Sequence, residues 1–219
     1  MGTWIALFLL LVVYPAFAIL FSGNPKDLSL LLDDTLLLLT LVVTIAMQWL
    51  MFLVLFVATY REQTLLRGLG IRALRGIDVA WAISFLLAAN AVLIVLAWIL
   101  GQVGLPMPGE IAFLIPEDTA GRILWVVVSA TAGFCEEVAF RGYLMTRLRL
   151  LGHTKTWVMP VVVSSVTFGV LHAYQGLPGV IMLSVYGAMF ALLYIRTRSL
   201  WPCIIAHFFQ DFTALFIPQ

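Results

Sequence analysis

Polar positions along the chain are rare and clustered, and the clusters cut it into seven apolar stretches, at roughly 3–22, 35–59, 78–100, 121–141, 157–174, 179–195 and 201–217. Gly23-Asn24-Pro25, the segment 68–76, the segment 101–118 and the segment 176–179 supply the turn-rich breaks between several of them. Each stretch is near or above the ~18–20 apolar residues that a helix needs to cross a bilayer. The pattern predicts an all-α, polytopic membrane helical bundle of about seven transmembrane helices. It forms a single integral-membrane domain over 1–219. The last two stretches are short, which suits tilted helices or helices shielded by protein. The fourth helix is expected to run past 141 to Leu151, because Val138 to Leu151 holds no proline and only Gly142 as a break. Arg147 and Arg149 are expected on its solvated end, Gly152-His153-Thr154 as the turn, and a fifth helix from near Thr156.

Composition agrees with that pattern. The 219 residues are 63% hydrophobic and 11% charged, more apolar than a soluble domain of this size can cover. The formal net charge of +1 gives no reason to expect a nucleic-acid partner, which leaves the lipid bilayer as the chain's surroundings. Ten of the 12 basic residues fall in the segments 60–77, 141–156 and 196–198, and seven alternating spans put all ten on one side. Basic residues mark the cytoplasmic side, so the N-terminus is expected in the cytoplasm and the C-terminus outside, with 101–120 an external loop. Ala16-Phe17-Ala18 resembles a signal-peptide cleavage motif, but no basic residue precedes the first apolar run, so an uncleaved first span is expected. Ala6 stands where N-myristoylation calls for Ser or Thr. The two cysteines, Cys135 and Cys203, lie in apolar segments and form neither a disulfide framework nor a metal knuckle. A thiol in such a setting is inert as a nucleophile.

The charges that need explaining sit inside the fourth stretch, in Glu136-Glu137-Val-Ala-Phe-Arg141. Insertion scales put the cost of one charge at mid-bilayer at ~2.5–3.5 kcal/mol, so three together call for a function. Glu137 and Arg141 are four apart, share a helix face and are expected to brace each other. Glu136 is turned about 100° from Glu137, which leaves it free for chemistry. Two histidines, His172 and His207, also fall in apolar stretches, whereas His153 falls in the expected turn. Glu136 and His172 are equidistant from position 154. An antiparallel hairpin about that turn therefore places both at one depth, ~25 Å from its tip at ~1.5 Å per residue. His207 is ~13 Å from a turn at Arg198 by the same rise. His207 and Asp211 share a face, as do Phe168 and His172, so Phe168 is expected to wall the site.

A carboxylate beside a histidine and away from bulk water is what general acid–base activation of water requires. His207 and Asp211 then suit the oxyanion of a tetrahedral intermediate. The same set, Glu136, His172 and His207, is also a possible zinc ligand set, although no His-Glu-x-x-His helix is present. Intramembrane Glu, His and Asp also build proton relays, so a proton-coupled transporter is an alternative, although no inverted repeat is visible. A non-catalytic, peptide-binding immunity protein is another.

Glu136-Glu137-x-x-x-Arg141, Phe168-x-x-x-His172 and His207-x-x-x-Asp211, in that order and on separate late spans, resemble the motifs of the CAAX-protease and bacteriocin-processing (CPBP, or Abi) family of intramembrane proteases. The resemblance covers a catalytic core of about 120–215. It implies a catalytic cavity within the bilayer that opens to the cytoplasm, and an endopeptidase acting on a peptide or membrane-anchored protein, prenylated in some members. It further implies that Glu136 and His172 activate water and that His207 binds the oxyanion. The fourth motif position, Asn in the eukaryotic enzymes, is Asp211 here, so an orienting role toward His207 is expected of it. The resemblance allows either a metal-free glutamate mechanism or a metallopeptidase, and it points to the plasma membrane of a bacterium or archaeon.

Overall fold

The computed structural model describes residues 2–23, 27, 30, 33–63, 66–107, 114–153 and 155–216. Of the expected breaks, external loop and turn, Asn24, Pro25, residues 108–113 and Thr154 lie outside the described residues. Among the described residues there is no strand, and seven main helices follow one another: α1 Gly2–Leu20, α2 Asp34–Arg61, α3 Gly76–Gln102, α4 Thr119–Leu151, α5 Val158–Val170, α6 Gly176–Thr197 and α7 Trp201–Thr213. They match the seven apolar stretches one for one. By length and composition α1, α2, α3, α4 and α6 are long and apolar enough to cross a membrane. The short pair is α5 and α7, at 13 residues each, rather than the sixth and seventh segments.

Local chemistry sets these ends. Asp33 caps α2 by accepting from the Leu36 N–H, and Asp118 caps α4 by accepting from Ala120 and Gly121. The α4 helix does run through to Leu151, and the chain turns at Gly152 and exposed His153 before α5 begins at Val158. Arg198, in the left-handed region at φ 52°, closes α6, and Pro202 opens α7. In α5 the last turn tightens. Leu171 N–H bonds back to Thr167 and His172 N–H to Gly169, which leaves His172 just past the helix rather than within it.

Half of the most apolar window of α4 is buried, against 11% for α3, so α4 is the inner helix and α3 a peripheral one. Around α4 stand α2 and α7, while α5 packs along α6 and α6 along α3. Lipid offers no hydrophobic drive for helices to associate, so close backbone approach matters. Small residues make that approach possible. A Cβ on Gly133 of α4 would lie 3.0 Å from Phe208 N of α7, and one on Gly169 of α5 would lie 2.5 Å from the Val180 carbonyl oxygen of α6.

The arginine-rich segments gather at one end of the bundle. Arg147 is 5% exposed and pairs with Glu62, which also accepts from Thr3 and Tyr143. It is therefore a buried tie between α1, α2 and α4, not the solvated end residue expected of it. Burial pushes the Glu62 carboxyl up, but the hydrogen bonds from Thr3, Arg147 and Tyr143 outweigh that and hold it below the usual carboxylate range. Arg149 and Arg198 both lie over the Trp157 ring, and Arg72 pairs with Asp78 at 2.6 Å. Leu200 N–H donates to Gly70 O at 3.0 Å, which ties the 66–75 connection to the start of α7.

Gly169→Val is expected to force α5 off α6 and destabilise the protein by about 1–3 kcal/mol, as overpacking does. A lowered thermal midpoint of the detergent-purified protein, followed by size-exclusion chromatography after heating, checks this.

Candidate active site

The middle of α4 carries the site. Its regular helix gives way at Glu137 to a π-helical segment, Val138–Leu144, every residue of which is buried. A π turn opens the hydrogen-bond ladder by one residue, a feature often found at functional sites. Met145 N–H here reaches back to Phe140 O, which also accepts the Ser164 hydroxyl of α5 at 3.0 Å. The distortion thus docks α4 onto α5 one turn beyond the paired glutamates.

Glu137 is 0% exposed and Arg141 1%. Their predicted brace is present, with Arg141 Nη1 donating to Glu137 Oε1 at 2.8 Å. Arg141 Nη2 donates to the Gly187 carbonyl of α6 at 3.2 Å, and its guanidinium sits over the rings of Phe168 at 4.5 Å and Phe190 at 4.9 Å. The same Glu137 Oε1 also takes the ring proton of His207, 2.8 Å from Nδ1. One carboxylate therefore joins helices α4 and α7, and the arginine it holds reaches α6.

His207 Nε2 faces the other two carboxylates, 3.9 Å from Glu136 Oε2 and 3.6 Å from Asp211 Oδ2. Neither distance is a hydrogen bond. Glu137 rather than Asp211 makes the bond that orients the ring. Glu136 is not wholly free, because Gln48 Nε2 of α2 donates to its Oε1 at 2.9 Å. Its Oε2 is buried and has no hydrogen-bond partner. The Glu136 side chain is 14% exposed and that of Asp211 32%, so the cluster opens on the Asp211 side.

His172 lies beside this cluster. The tightened end of α5 frees the Phe168 carbonyl, which takes the His172 Nδ1 proton at 2.9 Å. Both histidines carry a proton on Nδ1, because each faces an oxygen acceptor there, and each keeps Nε2 for the site. No hydrogen bond or ion pair joins His172 to Glu136. Phe168 stands between the parts, its ring 5.0 Å from His172, 6.1 Å from His207 and 5.4 Å from Phe140. Among the described residues no group of three His, Cys, Asp or Glu side chains converges as a metal ion requires, so Glu136, His172 and His207 do not fit the zinc set as they stand. Cys135 and Cys203 are both buried, and the Cys203 thiol is spent on the Phe190 carbonyl, 3.7 Å away.

Gln48 is the residue that sequence spacing misses. It is the only amide side chain in α2, and a lone amide in so apolar a helix is the one signal that could have singled it out.

Arg141→Met is expected to destabilise the protein by about 3 kcal/mol, because it strips Glu137 of its cation in a buried setting. Adding Glu137→Gln is expected to restore part of that loss. Thermal unfolding of the two variants, followed by intrinsic tryptophan fluorescence, checks the order.

Residues 119–213, from the cap of α4 to the end of α7, match the family described as type II CAAX prenyl endopeptidase Rce1-like. No curated protein and no solved structure matches the chain. The matched stretch holds Glu136, Glu137, Arg141, Phe168, His172, His207 and Asp211, but not Gln48.

Proposed function

Because residues 119–213 match the Rce1-like type II CAAX prenyl endopeptidases, within the broader CPBP grouping, we propose that this integral membrane protein is an intramembrane endopeptidase of that kind. Its reaction is hydrolysis of a peptide bond in a membrane-associated or lipidated protein or peptide, by a water activated at Glu136 and His172. The observation that carries the reading is a carboxylate oxygen, Glu136 Oε2, with no donor of its own and beside the Nε2 of a histidine whose other nitrogen is locked.

Glu136 Oε2 takes a proton from water as the water oxygen adds to the scissile carbonyl carbon. His172, its Nδ1 proton committed to Phe168 O, offers Nε2 to the same water. The carbonyl oxygen becomes an oxyanion and meets His207 Nε2. Glu137 and Asp211 flank that ring and offset its charge when both nitrogens are protonated, the form in which Nε2 donates. Glu136 then returns its proton to the amide nitrogen, and the carbon–nitrogen bond breaks. Phe168 and Phe190 wall the site, and their aromatic faces also hold Arg141 in register. In this reading Glu136 itself takes the proton, a step that requires no zinc.

The basic end of the bundle is read as cytoplasmic, since it gathers Arg72, Arg147, Arg149, Arg196 and Arg198. Substrate is then a membrane-anchored chain presented from that side, prenylated as the family's description states or carrying another lipid.

Glu136→Gln is expected to abolish cleavage and leave the fold intact. Mass spectrometry of peptide termini in membranes of cells expressing either form checks both the activity and the substrate. Termini that need the intact glutamate support the peptidase. Identical sets of termini count against it and favour a transport or peptide-binding role. For any substrate so identified, cleavage by the purified protein is expected to survive dialysis against 1,10-phenanthroline and EDTA. Loss of cleavage that zinc restores would instead make the enzyme a metallopeptidase.

A further inference from the structure

Glu136 has two oxygens, and the structure treats them differently. Oε1 accepts from Gln48 at 2.9 Å, while Oε2 has no hydrogen bond and lies 3.9 Å from His207 Nε2. A carboxylate only accepts, so the amide must face it with its N–H, which fixes the amide's orientation. The amide's own Oε1 is then turned elsewhere and is itself buried without a partner. Buried acceptors without donors are rare in a protein interior, and two on one hydrogen-bonded pair of residues call for a further donor to satisfy them.

We infer that Gln48 is a positioning residue of the peptidase site: its amide holds Glu136 Oε1, selects Oε2 as the oxygen that receives the proton, and presents its own Oε1 to the hydrolytic water. A water held by two acceptors, Glu136 Oε2 and Gln48 Oε1, has both protons engaged and its lone pairs free for attack. Glutamine suits this place for a second reason. When Glu136 becomes a carboxylic acid during the reaction, the same amide can accept through Oε1, so either protonation state finds a partner. Nothing else among the described hydrogen bonds reaches Glu136, so the task falls to α2, outside the segment 119–213 that carries the family's motifs.

The role of the water rests on the peptidase reading, but the test does not need a substrate. Dicyclohexylcarbodiimide enters apolar sites and adds across a protonated carboxyl group. The purified full-length protein is labelled at pH 8, and the adducts at Glu136 and Asp211 are quantified by peptide mass spectrometry. Gln48→Met removes the donor at nearly constant volume. Gln48→Asn keeps an amide but draws it back by one methylene, and serves if the methionine variant is not monodisperse. A hydrogen bond to a charged group is lost in either case, and labelling of Glu136 is expected to rise roughly tenfold while Asp211 is unchanged. Labelling of Glu136 that stays at the wild-type level overturns the inference. So does a parallel rise at Asp211, which means general loosening of the bundle. If labelling behaves as expected yet no terminus depends on Glu136, the positioning contact stands and the peptidase reading falls. If such termini exist but labelling does not respond to Gln48, the reverse holds.

Discussion

The Glu137 carboxylate is the junction on which the bundle depends. Its Oε1 accepts from Arg141 and from His207, each at 2.8 Å, at a position with no exposure at all. Removing a carboxylate from water costs several kcal/mol, and only well-placed opposite charge and hydrogen bonds return it. Arg141 supplies the charge and continues to the Gly187 carbonyl, and two phenylalanine rings fill the space around its guanidinium. A buried ion pair of this kind is poor evidence for stability, since apolar residues of the same volume often serve as well. Its value here is geometric. It fixes one histidine nitrogen, and so decides which nitrogen faces Glu136.

The paired glutamates therefore divide their work by environment. Glu137, fully buried, takes both Arg141 and His207 on its Oε1; Glu136, one residue earlier, takes only Gln48 on its Oε1 and turns its Oε2 toward His207 Nε2. Two helix-packing details keep the partners within reach. Gly133 admits α7 close to α4, one turn before the glutamates, and the π segment that follows hands a carbonyl to Ser164 of α5. Neither contact touches a reacting group, yet both set the distances at which such groups meet.

Much of this was legible because it is local. Glu137 and Arg141 are four apart, so their pairing follows from the helical repeat alone. The seven helices and the turn at Gly152 and His153 follow from apolar runs and from one glycine. The family motifs pointed to the segment that the comparison then matched. What stayed hidden depends on contacts between distant residues. His207 bonds Glu137 across 70 residues of chain, and spacing along α7 suggested Asp211 as its orienting partner instead. Gln48 lies 88 residues from Glu136. Arg147 looked like a solvated end residue because its partner, Glu62, sits on another helix. The end of α5 was missed by a few residues, since apolar composition continues past the point where the backbone tightens.

The brevity of α5 and α7 has a consequence for the surrounding lipid. Thirteen residues rise only about 20 Å, some 10 Å less than the hydrocarbon thickness of an ordinary bilayer. Where such helices form part of the wall, headgroups and solvent follow the helix ends inward and the membrane thins around them. On such a flank the polar groups of His172, His207 and Asp211 lie a shorter way from the interface than the middle of a full-length span would.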